Sequence, residues 1–211
     1  MTGFNAPAAS WNQRYSSDEY IFGTEANHFL QSAASHLKPG MRALVIADGE
    51  GRNGVWLAKQ GLNVDAFDIS DVAIEKAKKL AKTNEVNVSF HVADCESWDW
   101  QAENYDAVIA IFIQFADPVT RAALFANIVK SMKPGGVLIV QGYTPKQLDY
   151  KTGGPPLIDH LYTEDLLRDA FKTLHFEQLV SYEKFLKEGS QHYGMSALVG
   201  FIASKPASSS Q

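Results

Sequence analysis

Two hydrophobic periods take turns along this chain. Between Ala26 and Leu37 the apolar residues Phe29, Leu30, Ala33, Ala34 and Leu37 mark one face of a helix, which Pro39-Gly40 ends. Ala43–Ala47 is a short unbroken apolar run, the pattern of a parallel strand covered on both faces. A helix over Asn53–Gln60 closes on Gly61, and Leu62–Phe67 reads as a second strand. Ser70 is placed to cap a helix over Asp71–Lys82 with the stripe Val72, Ile74, Ala77 and Ala81. Val86–Val92 alternates as a third strand, and the strongly apolar Ala107–Ile113 reads as a central fourth. Pro118–Met132 follows as a helix with proline in its first turn, then Gly136–Gln141 as a fifth strand. Thr163 caps a helix running to Leu174. Phe176–Leu186 and Ser196–Ala203 then read as strands joined by the polar turn Lys187–Gly194.

Strand and helix alternate through residue 142 and then stop alternating. That order predicts an α/β fold, a Rossmann-like doubly wound seven-stranded mixed sheet with a C-terminal antiparallel hairpin at one edge. One domain spans 11–204. Met1–Ser10 and Lys205–Gln211, small and polar, read as a flexible start and a disordered tail.

Composition narrows the chemistry by exclusion. With 211 residues, 45% hydrophobic and 20% charged, the chain is an ordinary globular protein with room for a substantial core. Cys95 is its one cysteine, so no intrachain disulfide forms. The net charge of −5, without clustered positive charge, argues against a nucleic-acid or anionic-membrane partner. No apolar run approaches bilayer length, and Met1–Ser10 lacks the features of a secretory signal, so a cytoplasmic location is expected. The six histidines show no metal-binding spacing, so no metal is expected.

The chemistry concentrates where the first strand runs into Asp48-Gly49-Glu50-Gly51-Arg52-Asn53-Gly54. Glycines at such a turn bring backbone close to a ligand and aim a helix N-terminus at it. Asp68, at the end of the next strand, can accept hydrogen bonds from both hydroxyls of a ribose. A nucleoside cofactor fits this pattern, and Gly49–Gly54 matches the dinucleotide fingerprint GxGxxG letter for letter. An NAD(P)-dependent oxidoreductase is therefore one reading. Against it, Asp48 and Glu50 would repel a pyrophosphate, and the chain left after the fifth strand is short for a substrate domain. Acids beside the loop suit a cofactor with a cationic end.

Six elements in order resemble the class I S-adenosylmethionine-dependent methyltransferases, within them the tellurite-resistance and thiopurine-methyltransferase-like group. They are Trp11-Asn12-Gln13-Arg14-Tyr15 with Phe22-Gly23 and Glu25-Ala26-Asn27, Gly49-Glu50-Gly51-Arg52-Asn53, Asp68, Ala93-Asp94, Tyr105-Asp106-Ala107-Val108, and Met132-Lys133-Pro134-Gly135-Gly136. The resemblance runs from about Trp11 to Ser204. It implies S-adenosyl-L-methionine as cofactor. It also implies a lid over 11–25 carrying Trp11, Arg14, Tyr20, Phe22 and Gly23, and loop contacts from Ala47, Asp48, Gly49, Glu50, Gly51 and Asn53. Asp68, Ile69 and Ser70 would meet the ribose side, Ala93, Asp94 and Cys95 the adenine side, and Ala110, Ile111 and Phe112 the end of the fourth strand. One departure stands out: Val45 and Ala47 occupy the positions of the family's loop acid and first glycine, which leaves the role of the missing carboxylate to Asp48, Glu50 or backbone carbonyls. A non-catalytic S-adenosylmethionine-binding protein is the further reading that this degraded loop allows.

The loop Gly142–Pro156, rich in glycine and proline, leaves the C-terminal end of the fifth strand as a second candidate lid. Arg14, Tyr143, Tyr150 and His192 are the candidate substrate residues, with Lys146 beside them; no catalytic base is assigned. The apolar mouth Ala110-Ile111-Phe112-Ile113-Gln114-Phe115 suits a soft or small acceptor such as a thiol or a tellurite-like or selenite-like oxyanion. The expected partner is therefore a small molecule, acted on by a monomer or homodimer.

Overall fold

A computed structural model describes residues 8–207. The seven strands are β1 (Arg42–Ile46), β2 (Asn63–Asp68), β3 (Ser89–Val92), β4 (Tyr105–Ile111), β5 (Met132–Tyr143), β6 (His175–Glu188) and β7 (His192–Ser204). They form one sheet in the order β3-β2-β1-β4-β5-β7-β6. The first five are parallel, with Val45 opposite both Ala66 and Ile109. β7 then runs antiparallel to β5 and to β6. The doubly wound mixed sheet and its C-terminal hairpin are thus as the alternation predicts, with β4 in the middle.

The period of two divides the core. Leu44, Ile46, Val108, Ala110, Leu138 and Val140 face α5 (Pro118–Ser131) and α7 (Glu164–Ala170), where Phe125, Ile128 and Phe171 pack. Ala43, Val45, Ala107, Ile109 and Ile139 face the other way, onto α2 (His28–Ser32) and α3 (Arg52–Lys59) through Phe29, Leu30 and Leu57. Each fully buried side chain of this size stabilises the fold by about 1.5–3 kcal/mol. α4 (Asp71–Thr83) lies beside α3 and covers β2 and β3. Helix starts follow local chemistry: Ser70 accepts from Ala73 N at 3.1 Å, Asp117 from Thr120 N at 2.8 Å, and Thr163 from Leu166 N at 3.1 Å.

Several boundaries differ from the pattern, each for a physical reason. Ala8–Ser10 belong to α1 (Ala8–Arg14), so the aromatic segment begins in a helix; the part of the expected flexible start over 1–7 lies outside the described residues. Lys205 is tied down, its backbone exchanging hydrogen bonds with Gly135 and Gly136; residues 208–211 of the expected tail lie outside the described residues. The helix expected over Ala26–Leu37 divides at Ala33 into α2 and a 3-10 turn at Ala34–His36. β3 is shorter than its alternation because Val86 turns back onto Ala81 O and packs beside Val55 and Leu80. The expected turn Lys187–Gly194 is mostly strand: β6 and β7 pair as far as Glu188 and His192, and only 189–191 turn. The second-lid loop contains a short helix, α6 (Gln147–Tyr150).

The turn after β1 depends on Gly51. Its φ of 88° is left-handed, and a Cβ there would lie 2.6 Å from Ala77 Cβ on α4. Gly51→Ala combines backbone strain with overpacking and should cost about 2–4 kcal/mol. Urea unfolding measures this, and a variant as stable as the parent would contradict the packing described.

Candidate functional site

Past the C-terminal ends of the parallel strands lies a cavity of about 620 Å³, where open α/β sheets bind ligands. Such a volume sits within the ~300–1,000 Å³ range of small-molecule sites. Its floor is the turn after β1. Ala47 takes a left-handed φ of 49°, costly for a residue with a Cβ, and Gly49 follows at 59°. This fold of the turn buries Asp48 and directs its Oδ2 to the amide of Gly54 at 3.0 Å. Asp48 Oδ1 is buried with no hydrogen-bond partner. Burial pushes the Asp48 carboxyl up to about 7, against the pull of the Gly54 amide.

Asp68 closes the same floor from the end of β2. Its Oδ2 accepts from Gly49 N and its Oδ1 from Ser70 N, both at 2.9 Å. Burial nevertheless raises it to about 6, and the charge of Glu50 adds to the rise. Glu50 itself is already engaged, paired with Lys76 Nζ at 2.5 Å and accepting from Phe22 N at 3.3 Å. Of the two acids that could replace the carboxylate absent at Val45, Asp48 is therefore the one with a free oxygen. Val45 lies buried in the core.

The N-terminal segment forms a wall. Trp11 stacks on Tyr15 with centroids 5.7 Å apart, Tyr15 meets Phe22 edge-on at 6.1 Å, and Phe22 lies 4.7 Å from the His192 ring. Arg14 covers Trp11 and donates to Gln191 Oε1 at 3.1 Å. The opposite wall is Phe112, which stacks on Tyr143 at 4.7 Å and meets His192 at 4.5 Å. Burial, helped by the positive charge of Arg52, pushes His192 down to about 3, so it is neutral near pH 7. Burial and the charge of Glu188 push the Tyr143 phenol well above its usual range. Arg52 pairs with Glu188 at 2.8 Å, and its Nη1 is left buried and unpartnered.

The third side, after β3, holds Ala93, Asp94 and Cys95. Asp94 Oδ1 accepts from Ser97 N at 2.7 Å and Glu96 N at 3.0 Å, so one oxygen caps the turn, and the Ser97 amide holds its carboxyl low. Burial pushes the Cys95 thiol up to about 12, which removes it as a nucleophile.

Most of the expected residues line this cavity: Trp11, Arg14, Phe22 and Gly23; Ala47, Asp48, Gly49, Glu50 and Asn53; Asp68 and Ile69; Ala93, Asp94 and Cys95; Ile111, Phe112, Tyr143 and His192. Others are used elsewhere. Tyr20 donates to Lys76 O at 3.1 Å, Gly51 packs on Ala77, and Ser70 caps α4. Ala110 is buried inside β4, and Tyr150, with Lys146, bonds Glu183 at the surface. Tyr15, Arg52, Phe67, Gln114, Phe115, Thr120, Gln191 and the glycines Gly153 and Gly154 join the lining without having been expected as contacts. Tyr15 stands in the aromatic segment and the two glycines in the second-lid loop, so a local signal existed for them. Arg52 stands in the glycine loop itself, whereas Gln191 carried no such signal, because its place depends on the hairpin folding back. Among the described residues no cluster is suited to a metal ion, and no helix is long and apolar enough to cross a membrane.

Residues 43–136 match the model of the methyltransferase domain family. The chain is 33% identical over 131 residues to a tRNA (uracil(54)-C(5))-methyltransferase of Pyrococcus abyssi (strain GE5 / Orsay), covering 58% of this chain and 30% of that one. It is 34% identical over 122 residues to "probable thiol methyltransferase 2" of Arabidopsis thaliana, covering 56% and 52%. The N-methyltransferase NodS of Bradyrhizobium japonicum WM9, solved with S-adenosyl-L-homocysteine, superposes with a TM-score of 0.73 over 95% of this chain and 98% of that one; at 15% identity the likeness is one of fold. The chain spans only 30–52% of the length of the two curated relatives just described. Over residues 43–136 the chain is thus similar to methyltransferase domains, and its fold is the one shared by a methyltransferase solved with S-adenosyl-L-homocysteine.

The raised carboxyl gives a signed prediction. Asp48 titrates at 3.8 when unfolded and about 7 when folded, so between those values the folded protein holds a proton that the unfolded chain releases. Raising the pH through that window therefore removes stability. Asp48→Asn should become more stable relative to the parent as pH rises from 3.8 to about 7, measured as the difference in Tm across a pH series. A constant difference would mean that Asp48 is not held protonated by its surroundings.

Proposed function

We propose that this protein transfers a methyl group from S-adenosylmethionine to a small molecule, with a thiol or a tellurite-like or selenite-like oxyanion as the acceptor class. The observation that carries the proposal is the pair of buried acids on the cavity floor, one of them with an unpartnered oxygen. Two dry carboxylates favour a cationic guest and repel a pyrophosphate, which separates this cofactor from a nicotinamide dinucleotide.

The cofactor supplies a methyl already activated on a sulfonium, so the chain's own task is to bind, align and exclude water. Asp48 Oδ1 would take the methionine ammonium, whose charge pulls its raised carboxyl back to the ionised form. Asp68 would take the ribose hydroxyls, its position fixed by the amides of Gly49 and Ser70. Ile69, Ala93 and Cys95 offer apolar contact for the base, and Asp94 an acceptor at its edge. The rings of Trp11, Tyr15 and Phe22 present π faces that suit a sulfonium.

At the acceptor end Phe112, Phe115, Tyr143 and His192 form a largely apolar wall. His192 is too weak a base, and Tyr143 too weak an acid, to exchange a proton near pH 7. An acceptor that arrives with an available lone pair or its own negative charge needs no base, which supports the soft-nucleophile class. The thiol methyltransferase relative points the same way. The tRNA (uracil(54)-C(5))-methyltransferase relative matches this chain over 131 residues, while a cavity of about 620 Å³ and a net charge of −5 favour a small acceptor.

Calorimetry should show binding of S-adenosylhomocysteine and none of NADH. Asp68→Ala should weaken the former about tenfold or more, the scale of a lost charge-assisted hydrogen bond. Consumption of S-adenosylmethionine should then rise with a member of a panel of thiols, tellurite and selenite. Binding of NADH in place of S-adenosylhomocysteine would defeat the cofactor assignment, and binding without turnover on any acceptor would leave a binding protein.

A further inference from the structure

Along α4 the inward residues Ala73, Ile74, Ala77, Leu80 and Ala81 are small or apolar, and one lysine interrupts them. Lys76 is 8% exposed. Desolvating an ammonium costs several kcal/mol, so its partners must be good. They are: Nζ reaches Glu19 O at 2.6 Å, Ser17 O at 2.8 Å and Tyr15 O at 3.4 Å, pairs with Glu50 Oε1 at 2.5 Å, and lies 5.2 Å from the centre of the Tyr20 ring. Tyr20 OH donates back to Lys76 O. Residues 15–19 follow α1 without regular structure, and this one cation gathers three of their carbonyls.

The contact continues into the cavity. The second oxygen of Glu50 accepts from Phe22 N, and the Phe22 ring rests on His192. On the far side Gln191 N donates to Ile21 O at 3.0 Å, and Gly189 packs against the backbone of Ile21 and Gly23. The segment thus bridges α4 and the β6–β7 turn across the cavity, held at the α4 end by Lys76.

We propose that Lys76 is a positioning residue for the active site, a latch that fixes residues 15–22 over the cavity and holds Glu50 in an ion pair. Through it the glycine loop, the aromatic wall and the acceptor-side residue His192 share one arrangement. Without it the carbonyls of Tyr15, Ser17 and Glu19 and the carboxylate of Glu50 lose their common partner, and the wall formed by Trp11, Arg14, Tyr15 and Phe22 comes away from the floor. The consequence for cofactor affinity rests on the function proposed above, while the consequence for the segment does not.

Amide hydrogen exchange on the full, ligand-free chain tests the latch directly. In Lys76→Met, exchange over residues 8–22 should accelerate about tenfold or more beyond any change in β1 and β4. S-adenosylhomocysteine affinity should fall by a similar factor. Equal acceleration of the segment and the central strands, or an unchanged segment, would overturn the proposal. The double variant Lys76→Met, Glu50→Gln separates latch from simple charge burial: it should recover thermal stability without recovering protection of 8–22, and recovery of both would also overturn the latch. If Lys76→Met does not fold, Glu50→Gln alone keeps the shape and cuts the link to Phe22; faster exchange at 20–23 is then expected, and its absence counts against the proposal. Failure of the parent to bind S-adenosylhomocysteine would refute the cofactor assignment and leave the exchange result to judge Lys76.

Discussion

The organisation of this protein depends on keeping two carboxylates nearly dry at the end of a parallel sheet. Asp48 and Asp68 sit on one cavity floor, both raised toward neutrality by burial. Burying such groups costs stability unless hydrogen bonds or charge compensate. The backbone provides part of that compensation through the amides of Gly49, Gly54 and Ser70, which the left-handed turns after β1 and the cap of α4 bring into place. The remainder is left open at Asp48 Oδ1. Under the function proposed above, a cationic guest would complete the set at that oxygen.

The cations around these acids each have another partner of their own. Arg52, the nearest buried guanidinium, is held by Glu188 on β6. Lys76 is held by Glu50 and three carbonyls. Arg14 lies over Trp11 and bonds Gln191. Each of these cations has a partner beside the site, and the pairs Arg52–Glu188 and Lys76–Glu50 also fasten the hairpin and the N-terminal segment over the floor. Binding chemistry and closure of the cavity are thereby built from one network.

Much of the fold was legible because it is local. The apolar runs that became β1 and β4 are buried on both faces. The caps Ser70 and Thr163 announce their helices, and the loss of alternation after residue 142 announces the hairpin. The glycine loop and Asp68 were legible for the same reason, since a strand, a turn and a strand-end acid lie within one βαβ unit. What escaped is long-range. The polar stretch 187–194 looked like a turn because nothing nearby in sequence shows that Glu188 meets Arg52 or that His192 meets Phe22 and Phe112. Tyr20 and Ser70 share their segments with cavity residues yet point to Lys76 and to the start of α4. Lys76 has no signal in the sequence, for on a helix rich in lysine only the approach of residues 15–19 distinguishes the buried one.

The central claim is that the floor holds a carboxyl titrating near neutrality which a cation must re-ionise. Proton release on binding tests it most directly. S-adenosylhomocysteine should be titrated at pH 7 in buffers of different ionisation enthalpy, so that the slope of the observed heat counts protons exchanged. The account predicts net release in the parent, because the arriving ammonium drives Asp48 from about 7 toward the ordinary carboxylate range, and a smaller release in Asp48→Asn. Binding with no proton exchange, or with equal release in both proteins, would contradict it.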